Sequence, residues 1–156
     1  MSASLLLKLT GGASNSDPNA CLGGVGSSVT LSATRLNNLF DDVLASEALS
    51  GDIEYRALDI YNNGDAEATS VSIYINSQTT NGDTSVSIGL DSTTQTIGGE
   101  GSAPSGVSFS EPTSGSPLSV SNISAAGRQR FWIRRTVDTE AENISEDVFS
   151  LGITYA

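Results

Sequence analysis

The chain contains no histidine. Histidine is the side chain whose ordinary pKa lies nearest neutrality, so the commonest general base and the commonest metal ligand are both missing. A Ser-His-Asp triad is excluded, and none of the many serines sits in a G-x-S-x-G turn. Cysteine occurs once, as Cys21, so no internal disulfide and no cysteine metal cluster can form. A lone cysteine without a histidine partner reads as a small buried apolar residue. Positive charge is scarce: Lys and Arg number 7 against 18 Asp and Glu, for a net charge of −11. That balance repels phosphate backbones and anionic lipid, so neither nucleic acid nor membrane is an expected partner. Apolar runs are short, far below the ~20 residues of a membrane-crossing helix. Leu5-Leu-Leu7 has no basic region before it and does not read as a signal peptide.

What is present is a pattern of strands. The clearest is Arg128 to Val137, which holds the only tryptophan and four of the seven basic residues. Side chains alternate between faces in a strand. Phe131, Ile133, Arg135 and Val137 therefore share one face, and Trp132, Arg134 and Thr136 the other. Ile53 to Tyr61 is a second strong strand, with apolar residues on both faces and hence burial on both sides of its second half. Thr69 to Asn76 places Val71, Ile73 and Ile75 inward, and Thr84 to Leu90 does the same with Val86, Ile88 and Leu90. Val148 to Tyr155 lines up Phe149, Leu151, Ile153 and Tyr155. Weaker strands are expected at Ser4 to Leu9, Ser28 to Ala33, Val107 to Phe109 and Leu118 to Val120. Leu39, Phe40, Val43 and Leu44 have helical spacing within Asn37 to Leu49, which predicts one or two turns of helix. Asn-Gly turns are expected at 62–67 and at Asn81 to Asp83. Asp138 to Asp147 carries five acids and is expected to be an exposed loop.

Short strands joined by Gly, Asn and Pro turns predict an all-β fold: an antiparallel β-sandwich, jelly-roll-like, with at most one short helix. The 156 residues fit one domain. Within it, residues 1–27 read as a strand or arm followed by a Gly-rich loop, and 28–156 as the sandwich.

The search for chemistry yields little. Gly24-Val-Gly26-Ser-Ser-Val29 lacks the third glycine of a dinucleotide loop, and no Gly-Lys-Ser/Thr follows a glycine-rich turn. Asp41-Asp42, Asp52 with Glu54, and Asp65 with Glu67 miss the calcium-loop spacing and read as turn formers. Catalytic residues, cofactor and metal are all expected to be none. Arg128, Arg130, Arg134 and Arg135 either pair with acids of the neighbouring strand and of 138–147 or face a partner, since Trp and Arg are favoured at interface hot spots. Trp132 stands open between core and contact surface. Leu5, Leu7, Trp132, Arg134 and Arg135 are the candidate partner-interface residues. A sugar-binding sandwich using Tyr74 and Trp132 as stacking surfaces is the alternative from another class.

Four phrases in order carry a family resemblance. They are Leu7-Lys-Leu-Thr-Gly-Gly continuing to Cys21-Leu-Gly-Gly24, then Asn38-Leu-Phe-Asp-Asp-Val43, then Ser46 to Arg56, then Phe131-Trp-Ile-Arg-Arg-Thr-Val137. Together they resemble a family of small tailed-phage virion proteins associated with capsid decoration, or cement. The resemblance spans most of the chain except Gln95 to Ala125. It implies a compact β-domain without catalytic residues, made in the bacterial host cytoplasm and carried on the outer capsid surface of the virion. The implied partners are the major capsid protein and copies of this chain, as a homotrimer. A tail, neck or fibre-base protein is the related alternative.

Overall fold

The computed structural model describes residues 1–80 and 83–156. The Asn-Gly pair expected as a turn at 81–82 lies outside them. Among the described residues the chain is all-β, in two antiparallel sheets. The larger sheet has the order β1-β2-β6-β4, formed by β1 (Leu5–Lys8), β2 (Asp52–Asn62), β6 (Arg128–Val137) and β4 (Thr84–Asp91). The smaller has the order β5-β3-β7, formed by β5 (Leu118–Ser119), β3 (Ser72–Gln78) and β7 (Phe149–Thr154).

β6 occupies the span expected from its alternation and lies at the centre of the larger sheet. Its register pairs Phe131 with Leu58 of β2 and with Leu90 of β4, and Trp132 with Ala57 and Gly89. One face of this sheet packs on the smaller one. Leu58, Ile60, Phe131, Ile133, Val86 and Ile88 form the main core there with Val71 and Ile73, and Leu151 and Ile153 pack against it. The opposite face holds a second cluster of Tyr55, Ala57, Ile97 and Trp132. Burial on both faces fits the apolar residues that β2 carries on each side in its second half.

Loops cover that second face. Residues 9–27 run across it: Ala57 donates its N–H to the Cys21 carbonyl at 2.8 Å, and Gly24 donates to the Gln95 carbonyl at 2.9 Å. The segment expected as an arm is thus folded onto its own chain. Gly23 is required where it approaches the sheet. Its φ is +94°, and a Cβ there would overlap the Gln95 carbonyl and press on the Trp132 ring. Cys21 is fully buried, as expected.

Three local expectations are corrected. The helix, α1 (Ala45–Ser50), occupies only the end of the expected Asn37 to Leu49 span, and the Leu39 to Leu44 stretch whose spacing suggested it is not helical. Asn37 adopts φ +54°, and the backbone from 35 to 44 forms bends and irregular structure rather than helix. Leu39 and Phe40 are buried in the main core from non-helical backbone. Glu47 accepts the Leu44 N–H at 2.7 Å and so helps start α1. Ser28 to Ala33 reaches β1 through a single bridge, Thr30 to Lys8, and does not form a full strand. Val107 to Phe109 forms no strand; its neighbour Ser110 bridges to Ile88.

Candidate functional site

The arginines of β6 find their acids mainly on β2. On the loop-covered face, Arg130 Nε binds Asp59 Oδ1 at 2.6 Å and Arg128 Nη1 binds Asp59 Oδ2 at 3.3 Å. On the other face, Arg135 pairs with Glu54 and lies 3.8 Å from Asp41. The acidic loop 138–147 contributes a single ion pair among the described residues, Glu146 to Arg35 at 2.8 Å. Arg134 has no acid partner among the described residues, and its guanidinium lies 5.1 Å from the Phe109 ring centroid.

Trp132 is completely buried and donates its indole N–H to Asp91 Oδ2 at 2.8 Å. It therefore offers no surface to a partner or to a sugar, which settles its open reading in favour of core. Leu5 and Leu7 are half-buried and pack against the main core from β1. Arg134 and Arg135 are partly buried and emerge on opposite faces of β6. The five candidate interface residues therefore do not form one surface.

Asp91 is the centre of a polar cage. It accepts from Trp132, from the Thr93 N–H and hydroxyl, and from Gln95. Burial alone would push its carboxyl up, but these hydrogen bonds outweigh burial and hold it below the ordinary aspartate value. Burial pushes the Cys21 thiol up.

A second polar cluster gathers Asp41, Glu54 and Glu100, whose carboxylate oxygens lie within 4.8 Å of one another. Such spacing resembles a cation site, but two guanidiniums already supply the positive charge. Arg56 reaches Glu100 at 2.7 Å, and Arg135 reaches Glu54. Both stack on Phe40, at 5.3 and 4.9 Å from its centroid. Burial raises the Glu54 pKa, and Arg135 and Arg56 only partly offset it.

Beside this cluster opens a cavity of about 740 Å³. One wall is the segment from Arg35 to Leu49, ending in α1; the other runs from Glu140 to Phe149. Phe40, Val86, Val137 and Phe149 form apolar lining between them. The walls are stitched together where Ala141 donates its N–H to the Ala48 carbonyl at 3.0 Å. The volume falls in the range of ligand pockets. Sequence reasoning missed this cavity, because its walls come from segments far apart in the chain that only the fold brings together. It also missed Asp59 and Asp91. A signal existed for Asp59: a charged residue between Leu58 and Ile60, in a strand apolar on both faces, needs a buried partner. Comparison with family models, with curated proteins and with solved structures finds no match for this chain.

Proposed function

We propose that this chain is a non-enzymatic structural protein of a phage virion, a decoration protein that binds the outer capsid surface and stabilises the shell. The observation that carries a binding role is the cavity, where exposed leucines and carboxylates flank an apolar floor. Exposed apolar surface rimmed by polar groups is characteristic of interaction sites. The virion assignment rests on the resemblance of the four ordered phrases to tailed-phage virion proteins. The mutual pairing of the arginines and acids of β2 and β6 supports reading that cluster as framework rather than as acid–base machinery.

Immuno-electron microscopy of virions, combined with heating of particles with and without the protein, tests the proposal. Dense labelling of the shell and rupture at lower temperature without the protein are expected. Equal rupture temperatures would refute it, and sparse label at one vertex would move the protein to the tail or neck. Light scattering addresses the proposed homotrimer, for which a mass near three times 16.0 kDa is expected.

One observation favours a sugar-binding alternative. Tyr74 lies across Gly152 on β7, beside hydroxyls at Ser72 and Thr154 that bond at 2.7 Å. An aromatic ring among hydroxyls suits a sugar. A glycan array with no hit would remove this reading.

A further inference from the structure

We infer that the cavity between α1 and the 140–149 segment docks a polypeptide segment presenting an apolar side chain flanked by Lys or Arg. The inference rests on the binding role read from this cavity and names the chemistry of its occupant, whereas the virion location is tested separately by labelling and heating of particles.

Two features of the cavity point to this chemistry. Its walls expose Leu36 (41%) and Leu49 (69%), and both border the apolar floor. Large apolar side chains left in water beside an unfilled cavity are surface that an apolar group would cover.

The second feature is charge. Asp41, Asp42, Glu140, Glu142 and Asp147 line the cavity together with Arg35 and Arg135. Both arginines are already paired with acids outside the lining, Arg35 with Glu146 and Arg135 with Glu54. The side chains of Asp42, Glu140 and Glu142 make no hydrogen bond or ion pair among the described residues. The local field is therefore negative and open to a cation.

The carboxylates stand on both walls, Asp41 and Asp42 on one and Glu140, Glu142 and Asp147 on the other. A monoamine offers one charge and cannot meet both sides. A peptide with basic residues on either side of an apolar one can. A second copy of this chain is a poorer occupant. It carries the same charge of −11, and Arg130 and Arg135 of its seven basic residues are held within its own sheet.

The test is a titration of the isotope-labelled protein, followed by amide NMR shifts, with two synthetic peptides. One is Gly-Lys-Leu-Leu-Lys-Gly and the other its Glu-for-Lys counterpart. The basic peptide is expected to shift amides of 35–49 and 140–149 and to bind at least about tenfold more tightly than the acidic one. Raising the salt from about 0.01 M to about 1 M shortens the screening length from about 30 Å to about 3 Å, and should weaken that binding. The triple variant Asp42→Asn, Glu140→Gln, Glu142→Gln should lose about tenfold in affinity with an unchanged melting temperature. Ala48→Trp, which leaves the charge untouched, should block binding by filling the cavity. The inference is overturned if the basic peptide causes no shift at about millimolar concentration. Equal affinity for both peptides, shifts elsewhere, wild-type affinity in the triple variant, or self-association through these same amides would each also overturn it.

Discussion

Trp132→Ala is the most informative single change in the core. The side chain is completely buried and belongs to the cluster with Tyr55, Ala57 and Ile97. Truncating a buried Trp to Ala costs about 3–5 kcal/mol. Loss of the indole N–H also removes one donor from the Asp91 cage, but Thr93 and Gln95 still bond that carboxylate. Asp91 is therefore not orphaned, and the cavity term should dominate. For a chain of this size, 1 kcal/mol shifts the melting temperature by about 2–4 °C, so a fall of about 6–20 °C is expected. The assay is urea unfolding followed by far-ultraviolet circular dichroism, because the substitution removes the only tryptophan fluorophore. Trp132→Phe serves as the partner variant. It keeps most of the ring volume, loses the hydrogen bond to a charged acceptor, and should cost about 1.5–3 kcal/mol. A loss below about 1 kcal/mol for the alanine variant would refute the assignment of Trp132 to the core, since exposed substitutions fall in that range.

Asp91 should make the fold acid-sensitive. Its folded pKa lies below its unfolded value, so the unfolded state takes up the proton first as pH falls. Its contribution is complete above the ordinary aspartate pKa of about 3.9 and is lost as pH drops through the lower folded value. Asp91→Asn should flatten that part of the stability-against-pH curve, and an unchanged slope would contradict the cage. Asp59→Ala should cost about 3–5 kcal/mol in denaturant melts, because it leaves the buried Arg130 charge uncompensated. A cost near zero would mean that water replaces the carboxylate. Cys21, buried and with its thiol pKa raised, should react with a thiol reagent far more slowly in the native protein than in denaturant. Equal rates would show that the covering loop opens freely.

The parts of the fold legible in the sequence are those where alternation is sustained. β6 matched its expected span, and β2, β4 and β7 lie within a residue or two of theirs. Each presents apolar residues with period two against a sheet, and packing rewards that pattern directly. Leu39 and Phe40 misled because helical spacing is also produced by irregular backbone that drops two neighbouring side chains into one core. The backbone of that stretch is bent and irregular, with Asn37 at positive φ before it, and the spacing of apolar residues does not announce this. The arginines were visible as a cluster, but their partners depended on register. Arg130 lies opposite Asp59 and Arg135 opposite Glu54, a fact of long-range pairing that composition does not contain. The cavity was least legible of all, because its lining is gathered from segments distant in the chain.

The central pairing of the larger sheet has a consequence for how the chain is made. β2 ends at Asn62, and β6, its hydrogen-bonded neighbour along ten residue pairs, begins only at Arg128. During synthesis at about 5–20 residues per second, residues 63–127 take roughly 3–13 s to emerge. For that interval the longest strand among the described residues lacks the partner that covers its edge. Only β1 is available to pair with it, over Asp59–Asn62. The newborn chain is then at its greatest risk of pairing with a neighbour, and its surplus of negative charge acts in that window to keep such chains apart.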